Sequence, residues 1–274
     1  MRKVIKATKR STLMKVLGIC ASYRKLGNCE ILIREALKAC AENGADTEFV
    51  RLTDYDIEPC KGCMACVFRG DECRIEDDMS SLLELLEAHD SLILGSPTYV
   101  LSPPGIVKLA IDRLFMAQDK FVGKKASTIG VAALPEWEPL LLPVLNMFLL
   151  SFGYDVVDSE IFYGAGPGEV LLDEKNLEKV RKMGERLTVN APSAAAKGCP
   201  VCRATFVSLE QMKCPICGLT FSLKEGTVVY DPPEHHRFTE EGRAEHLENW
   251  ILKTEGRYFD HLEEIRKMRE KYRQ

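Results

Sequence analysis

The stretch LMKVLGICASYRKLGNCEILIREALKACAENG, residues 13–44, decides the fold of this chain. Its first nine residues are almost all apolar, which is typical of a strand buried on both faces. The polar loop SYRKLGN (22–28) follows, and apolar residues then recur at helical spacing until Gly44 ends the pattern. A buried strand, a polar loop and an amphipathic helix in this order form the first half of a parallel strand–helix–strand unit.

The same alternation continues to residue 188. Strand-like runs alternate with helix-like runs, so we expect a parallel sheet covered by helices on both faces. Five strands predict an α/β fold with the doubly wound order 2-1-3-4-5 and a ligand crevice where strands 1 and 3 diverge. The predicted strands are 13–21, 46–52, 91–96, 126–134 and 155–163, and the predicted helices are 28–43, 78–89, 104–117, 138–152 and 173–188.

The composition of the chain changes after this region. The segment VNAPSAAAKG (189–198) has the small residues, proline and glycine of a linker. We therefore expect a large domain (1–188) with a cysteine loop at 55–78, then the linker, a compact metal module (199–230) and a helical tail (231–274). Apolar residues at helical spacing predict that the tail packs on a domain or on a partner subunit: Leu247, Ile251, Tyr258, Leu262 and Ile265.

The totals for the whole chain are those of an ordinary globular protein. Of 274 residues, 46% are hydrophobic and 28% are charged, with a net charge of −4 and a pI near 5.9. An acidic chain has no broad attraction for nucleic acid or anionic membranes, and no apolar run reaches the ~18 residues that cross a bilayer. We expect a cytoplasmic protein without nucleic-acid or membrane partners, in which the basic start MRKVIKATKR (1–10) is a short leader and not a signal peptide.

The chain has eleven cysteines, and eight of them fall into two tight groups. Clustered C-x-x-C spacing in a chain of this length favours metal binding over a disulfide framework. Of the other three, Cys29 and Cys40 lie on the apolar stripe of the first helix and Cys20 lies in the first strand, so we interpret them as core residues. The two groups are Cys60, Cys63, Cys66 and Cys73, and then Cys199, Cys202, Cys214 and Cys217.

Two polar loops are expected to meet at the crevice. The first offers Ser22, Arg24 and Asn28 at the start of a helix, where hydroxyl, guanidinium and amide groups and the helix dipole suit a phosphate. A simple helix cap explains Asn28 nearly as well. The second loop, GSPTYVLSPPG (95–105), leaves strand 3 and enters the next helix, which brings Thr98 beside the first loop.

Together these loops resemble those of the NADPH-dependent FMN reductase branch of the flavodoxin-like proteins, over roughly residues 13–188. The resemblance implies bound FMN, with its phosphate on the first loop and its ribityl chain and ring beside the second loop and the loop after strand 4. A buried core aromatic is the alternative for Tyr99, and we interpret Trp137 as a packing or interface residue. The implied cofactor-binding residues are Ser22, Arg24, Asn28, Cys29 (where the family usually has Ser or Thr), Pro97, Thr98, Tyr99, Val100 and Ala133.

The first cysteine group lies in one loop after strand 2, at the same edge of the predicted sheet. Its C-x2-C-x2-C run, with a fourth cysteine seven residues on, is similar to the run that holds a [4Fe–4S] cluster in bacterial ferredoxins. On this type of fold the motif resembles the iron–sulfur flavoprotein family, in which FMN and a [4Fe–4S] cluster exchange electrons. A structural zinc ion and unligated thiols are the alternatives, although zinc usually has two separated C-x-x-C pairs.

The second cysteine group forms two C-P-x-C knuckles, with eleven residues between the inner cysteines. Such a pair presents four thiolates to one ion, and a segment of about 40 residues needs a metal because it buries little core. The spacing resembles both zinc ribbons and rubredoxin-like modules, so we expect zinc, with iron as the alternative; Arg203 stands where rubredoxin-like knuckles usually have glycine. The histidines that follow are interpreted as surface or packing residues: His235, His236, His246 and His261.

These features predict an FMN-dependent oxidoreductase that passes electrons between FMN, a [4Fe–4S] cluster and a carrier such as ferredoxin or NAD(P)H. The polypeptide would bind the cofactors and tune their potentials, since no Ser-His-Asp or paired-carboxylate arrangement stands out in the sequence. Two alternatives stay open: an NAD(P)H:quinone-type flavin reductase with structural zinc only, and a redox-responsive binding protein. The family resemblance also implies a homodimer or homotetramer.

Overall fold

The computed structural model describes residues 13–70, 73–114, 119–189 and 192–273. The basic leader expected at 1–10 lies outside these residues. The described chain comprises an α/β body, two cysteine-bearing segments and a helical tail. None of the helices in these ranges is both long enough and apolar enough to cross a bilayer.

A five-stranded parallel sheet forms the centre of the body, with the order β2-β1-β3-β4-β5. This order confirms the predicted doubly wound topology. The strand order reverses at β1, so the connections after β1 and β3 lead to opposite faces and a crevice opens between the carboxyl ends of these strands. The strands are β1 (Lys15–Cys20), β2 (Asp46–Arg51), β3 (Ser91–Pro97), β4 (Lys125–Ala132) and β5 (Asp155–Tyr163).

Helices cover both faces of the sheet, and their bounds agree closely with the predicted ones. The helix predicted over 104–117 is observed as far as Arg113, and residues 115–118 lie outside the described chain. The short α2 inside the cysteine loop was not predicted, because four residues are too few to show periodicity. The helices of the body are α1 (Asn28–Glu42), α2 (Ala65–Phe68), α3 (Met79–Ala88), α4 (Gly105–Arg113), α5 (Leu141–Ser151) and α6 (Glu174–Thr188), with 3₁₀ turns at Leu52–Asp54 and Glu169–Leu172.

The body has one apolar layer on each face of the sheet. One layer packs α3, α4 and α5 against side chains such as Leu17, and the other packs α1 and α6 against side chains such as Val16. Successive residues of a strand face opposite sides, so this alternation places both faces of β1 in the core. Three cysteines belong to the second layer and are almost fully buried, which confirms that they are core residues: Cys20, Cys29 and Cys40.

Two glycines allow α1 to approach its neighbours closely. A Cβ atom on Gly95 of β3 would lie 2.5 Å from Cδ1 of Ile33 on α1. A Cβ atom on Gly184 of α6 would lie 2.2 Å from the carbonyl oxygen of Ala36 on α1. Since side-chain carbons do not come this close to other heavy atoms, α1 packs on the sheet and beside α6 at a spacing that a larger residue would not allow.

The second cysteine group and an antiparallel hairpin form a separate small module. The segment between the two knuckles is closed by an antiparallel bridge between Ser208 and Lys213. The hairpin follows the second knuckle and consists of β6 (Phe221–Lys224) and β7 (Thr227–Tyr230).

The module is attached to the outer side of the body, near β5 and α5. In the described part of the linker, the N–H group of Ala194 donates to the carbonyl oxygen of Val157 at 2.9 Å. Nδ2 of Asn146 on α5 donates to the carbonyl oxygen of Cys202 at 3.2 Å, and Leu150 packs against the core of the module. The linker and α5 therefore fix the module to the edge of the sheet.

The tail is helical, as predicted. Nε of Arg243 in its first turn donates to Oδ1 of Asp119 at 2.6 Å, which ties the tail to the body. From residue 244 onward no described side chain is fully buried. Four residues of the apolar stripe are half-buried and Tyr258 is exposed, so packing of the stripe on a domain or on a partner subunit stays a prediction. The tail consists of α7 (Glu240–Glu245), a π-helical segment (His246–Leu252), α8 (Lys253–Asp260) and α9 (Leu262–Glu270).

Candidate functional site

A cleft, here called the crevice, opens at the carboxyl edge of the sheet between the loops that follow β1, β3, β4 and β5. It contains about 520 Å³ of empty space, part of which is open solvent. Its lining brings together eight of the nine residues that the sequence singled out for cofactor binding: Ser22, Arg24, Asn28, Cys29, Pro97, Thr98, Tyr99 and Ala133.

Val100 is the ninth of these residues and lies outside the lining of the crevice. It is 93% exposed and has a φ of 49°, at the tip of a turn closed by a bridge between Tyr99 and Ser102. This left-handed backbone is strained for a β-branched residue and turns the side chain outward. Tyr99 lines the crevice and is 44% exposed, so it is not a buried core aromatic. Trp137 is exposed outside the lining, and its role at an interface stays a prediction.

A buried ion pair fixes the shape of the first loop. Glu30 is 2% exposed, pairs with Arg51, and accepts a hydrogen bond from the backbone N–H of Leu26 at 2.7 Å. The guanidinium of Arg51 also reaches the carbonyl oxygens of Ser22 and Arg24, each at 3.5 Å. Two buried charges are stable only where further hydrogen bonds satisfy them, and here the loop backbone supplies those bonds. The pair therefore holds the loop in the conformation that borders the crevice.

Asn28 joins the first loop to a glycine-rich loop after β5. Its Nδ2 donates to the carbonyl oxygens of Gly164 at 2.9 Å and Gly166 at 3.0 Å, and its Oδ1 accepts from the N–H of Val170 at 3.4 Å. The N-cap residue of α1 is Gly27, so Asn28 is not a simple cap. Since both N–H groups of its amide are engaged within the protein, we assign Asn28 to shaping the crevice and not to a direct bond with a phosphate.

The loop after β5 is the part of the crevice that sequence analysis missed. Gly164, Ala165 and Pro167 line the crevice, and Nη1 of Arg24 donates to the carbonyl oxygen of Ala165 at 3.0 Å. The run GAGPG (164–168) follows a predicted strand at the carboxyl edge, and its glycines are the signal that could have identified it. The remaining missed residues contribute to the lining at the ends of α1 and β4: Gly27, Val131 and Ala132.

The donors in the crevice suit a phosphate attached to a flat ring system. The N-terminus of α1 offers free N–H groups and the positive end of the helix dipole, and Arg24 supplies a cation. The hydroxyl of Ser22 accepts from the N–H of Arg24 at 3.2 Å, which leaves the hydroxyl proton free to donate. Pro97 and Tyr99 add apolar surface on the opposite side of the crevice. These residues fit flavin mononucleotide.

The loop between β2 and α3 carries the first cysteine group. Cys60 and Cys63 are exposed, and Cys66 and Cys73 are half-buried. Burial and then the charges of the three other thiols raise the pKa of the Cys66 thiol, so each of these three lies within electrostatic reach of Cys66. The backbone of the loop turns through three left-handed residues between the first and the last of these cysteines: Gly62 (φ 60°), Met64 (φ 56°) and Gly70 (φ 64°).

Four thiols in one loop are the donor set of a four-iron cluster. Each thiolate binds a different iron there, so the sulfurs lie farther apart than they do around a single ion. Within the described ranges, the group of possible metal ligands whose atoms all lie within 4.8 Å of one another is the second cysteine group and not the first. The four thiols of the first group are thus not gathered as they would be around a single ion, and the identity of the group that they bind stays a prediction.

A second buried ion pair lies behind this loop. Arg113, at the end of α4, pairs with Asp77, and each of the two side chains is 1% exposed. The guanidinium also donates to the carbonyl oxygen of Glu58 at 2.8 Å and to Sγ of Cys73 at 3.5 Å. Burial opposes ionisation of Asp77, but hydrogen bonds from Arg113 and from the backbone N–H groups of Glu58 and Met79 hold its pKa below the usual value. Both side chains are therefore charged, and the pair connects α4 to the cysteine loop.

The second cysteine group forms a closed metal site. All four cysteines are buried, and their sulfurs lie within 4.8 Å of one another. The Sγ–Sγ distance is 3.4 Å both for Cys199 with Cys217 and for Cys202 with Cys214. A tetrahedral site with metal–sulfur bonds of about 2.3 Å places its sulfurs about 3.8 Å apart, so the cage needs little adjustment to hold an ion. Hydrogen bonding to the neighbouring thiols and burial raise the pKa of Cys202, because these groups cannot all ionise here without a cation.

The two knuckles of this module have the same backbone geometry. The N–H of Arg203 donates to the carbonyl oxygen of Cys199 at 3.0 Å, and the N–H of Gly218 donates to that of Cys214 at 2.9 Å. Arg203 and Gly218 both have left-handed φ values, 65° and 81°. Arg203 thus occupies a position that favours glycine, which is the physical reason why similar knuckles usually have glycine there.

Comparison with known proteins gives a consistent assignment for the body. The profile of the NADPH-dependent FMN reductase family matches residues 14–136. An iron–sulfur flavoprotein of Methanocaldococcus jannaschii is 34% identical over an alignment of 187 positions that covers 64% of this chain and 95% of that protein.

Two further matches extend beyond the body. A flavone synthase of Aspergillus candidus is 26% identical over an alignment of 249 positions that covers 75% of this chain and 76% of that protein. The structure of a flavone reductase superposes with a TM-score of 0.77 at 21% identity, over 94% of this chain and 96% of that chain. At this identity the likeness shows the fold alone, but its coverage means that the shared fold includes the small metal module.

Proposed function

Since this chain belongs to the iron–sulfur flavoprotein family and is a flavin-dependent oxidoreductase, we propose that it binds FMN in the crevice and a [4Fe–4S] cluster on the cysteine loop. The observation that carries the proposal is the placement of both sites at one edge of one sheet. The cysteine loop follows β2, which pairs with β1, and the first crevice loop follows β1. Bound FMN exchanges a hydride or single electrons, whereas an iron–sulfur cluster exchanges single electrons.

Each crevice loop has its own task in this proposal. Ser22, Arg24 and the first N–H groups of α1 bind the phosphate, and Pro97 and Tyr99 contact the ring system. Asn28 holds the loop after β5 against the first loop. These residues bind and orient the flavin and exclude water from one side of it, and none of them has to exchange a proton.

For the electron carriers we propose NAD(P)H or ferredoxin. The crevice is open to solvent, which gives a nicotinamide access to the flavin ring. Cys60 and Cys63 are exposed, which gives a carrier protein close access to the cluster. Electron transfer from a nicotinamide to the flavin and from a carrier protein to the cluster are both compatible with the residues of the chain. Turnover measured with each donor in turn distinguishes them.

We propose that the chain assembles as a homodimer or homotetramer. Large apolar side chains in the loops after β1, β3 and β4 are exposed, and exposed apolar surface of this kind is often buried where subunits meet. Their exposed fractions support burial against another subunit: Tyr23 (62%), Val100 (93%), Leu134 (62%) and Trp137 (65%).

For the small module we propose zinc, with iron as the alternative outcome. The four thiols form a closed, buried site without an open position, which is the arrangement of structural zinc. The crevice lining includes no described residue of the module, so this ion has no direct part in flavin chemistry.

Anaerobic turnover with NADH, NADPH or reduced ferredoxin and a one-electron acceptor tests the proposed function. Wild-type protein should reduce the acceptor with at least one donor. Cys60→Ser removes an exposed cluster ligand, so this variant should retain FMN but lose most of the rate of acceptor reduction. Cys40→Ala changes a buried core cysteine and should keep the wild-type rate. Equal rates for Cys60→Ser and the wild type would contradict a role for the cluster.

A second candidate function is the redox conversion of a flat conjugated compound, such as the flavone named for one relative. It is favoured by Tyr99 in the crevice and by exposed Leu134 and Trp137 in the loop after β4, which offer apolar surface for a flat ring. The same assay with a flavone as the acceptor tests this candidate. Flavone turnover that survives Cys60→Ser would support it, and no turnover in the wild type would exclude it for flavones.

A further inference from the structure

We infer that Arg113 is a positioning residue for the iron–sulfur cluster, whose reduction potential it raises by donating a hydrogen bond to Sγ of Cys73. This inference rests on the proposed function, because it requires the cluster. The observation behind it is that the Arg113 side chain is 1% exposed, is paired with Asp77, and places Nη2 at 3.5 Å from the Cys73 sulfur.

The guanidinium of Arg113 divides its donors between three parts of the chain. Nη1 donates to the carboxylate of Asp77 and to the carbonyl oxygen of Glu58 at 2.8 Å. Nη2 donates to Oδ1 of Asp77 at 3.0 Å and to Sγ of Cys73 at 3.5 Å. Arg113 cannot rotate away from the thiol without breaking the bonds to Glu58 and Asp77. A lysine could not serve these acceptors together, because it lacks the planar fork of donors.

Burial makes this hydrogen bond effective. The Arg113–Asp77 pair is closed to solvent, so water does not screen the guanidinium on the side from which it reaches the half-buried Cys73. Asp77 balances much of the charge of Arg113 at longer range. The effect on the cluster is therefore carried by the short contact with Cys73 and not by the net charge of the pair.

The direction of the effect follows from the charge on the sulfur. A hydrogen bond to a ligand sulfur is stronger when that sulfur carries more negative charge, which is the case after an external one-electron donor has added an electron. No proton moves, and no bond at Cys73 forms or breaks. Arg113 thus stabilises the reduced form more than the oxidised form, which corresponds to a higher reduction potential.

Replacing the ion pair by neutral amides tests the inference without leaving one buried charge unpaired. In Asp77→Asn/Arg113→Gln the shorter amide no longer reaches the sulfur. In a redox titration of the anaerobic holoprotein, followed by visible and EPR spectra, this variant should show a lower cluster potential, with iron content and FMN potential unchanged. The matched control is Asp158→Asn/Arg186→Gln, which neutralises a pair between β5 and α6, where Asp158 is 2% exposed; both potentials should stay at their wild-type values.

An unchanged cluster potential in the double variant, with iron and sulfide retained, overturns the inference. A wild-type protein that contains no sulfide overturns the proposed function itself, which separates the two failures. If the double variant does not assemble the cluster, Arg113→Lys is titrated instead, since lysine keeps the charge beside Asp77 but not the fork. The same downward shift is expected there, and an unchanged potential overturns the inference.

Discussion

Arg24 and Asn28 lie four positions apart in one loop, and their surroundings give them different tasks. Arg24 is exposed at the crevice and has a cation to offer a phosphate, whereas the amide of Asn28 is occupied by backbone groups. The residue types at 22–28 were enough to predict a phosphate loop. The task of Asn28 was not predictable in this way, because its hydrogen-bond partners lie 136 and 138 positions further along the chain.

We expect Arg24→Gln to weaken FMN binding and to leave riboflavin binding unchanged. A charge-assisted hydrogen bond to the phosphate contributes about 1.5–3 kcal/mol, so the affinity for FMN should fall about tenfold or more. Titration of the apoprotein with each flavin, followed by fluorescence quenching, measures both affinities. Lys25→Gln is the control, since Lys25 is exposed beside Arg24 but does not line the crevice. An equal loss for both flavins would show that Arg24 does not bind the phosphate.

We expect Asn28→Ala to weaken the binding of both flavins together and to destabilise the fold. The substitution leaves the carbonyl oxygens of Gly164 and Gly166 without their donors, at a cost of about 1–3 kcal/mol in the free energy of unfolding. Urea unfolding and the same flavin titrations measure these effects. Asn43→Ala is the matched control, because its amide bonds the hydroxyl of Thr188 in an exposed position and its loss should change stability by less than about 0.5 kcal/mol. A loss confined to FMN would instead indicate a direct phosphate contact.

At the scale of the elements, the sheet and its large helices were predictable because long periodic segments carry a strong local signal. Helix α2 has four residues and shows no such signal. The outward turn of Val100 depends on a left-handed backbone, and valine is not a residue type that predicts this conformation. The close approach of α1 and α6 was not predictable either. Nothing in the local sequence explains a glycine at position 184 within a helix; the reason is its contact with Ala36 on α1.

We expect Gly184→Ala to destabilise the body. The new methyl group would lie 2.2 Å from the carbonyl oxygen of Ala36, so α6 must move away from α1, and overpacking of this kind costs about 1–3 kcal/mol. Gly256→Ala is the matched control, because its added methyl group meets no atom within 4 Å and alanine favours a helix by about 0.5–1 kcal/mol. Thermal and urea unfolding measure both. A Gly184→Ala variant as stable as the wild type would refute the close packing of the two helices.

At the scale of the whole molecule, the small module was predictable as a metal site because its four ligands come from two local knuckles. Its attachment was not predictable, since it depends on Asn146 and Leu150 of α5 and on the linker beside Val157. The oxygen of the Asn146 side chain accepts from the hydroxyls of Thr128 and Ser159 in the sheet, so one buried amide connects the module to the centre of the body.

We expect Cys202→Ser to release the metal of the module and to expose the linker region to protease. A segment of this size depends on its ion for stability, whereas the body has its own core. FMN content should stay at the wild-type level, because the described residues of the module do not line the crevice. Metal analysis, limited proteolysis and the visible spectrum measure the three effects, with Cys40→Ala as the control. Retention of the ion by Cys202→Ser would contradict the proposed ligand set.

Analysis of iron, acid-labile sulfide and flavin in anaerobically purified protein tests the central claim most directly. The Cys202→Ser variant is included so that an ion in the module does not add to the iron count. We predict one FMN, about four iron and about four sulfide per chain in this variant. In Cys60→Ser the iron and sulfide of the cluster should be lost and the FMN retained. Protein that contains flavin but neither iron nor sulfide, or that contains no flavin at all, would contradict the account.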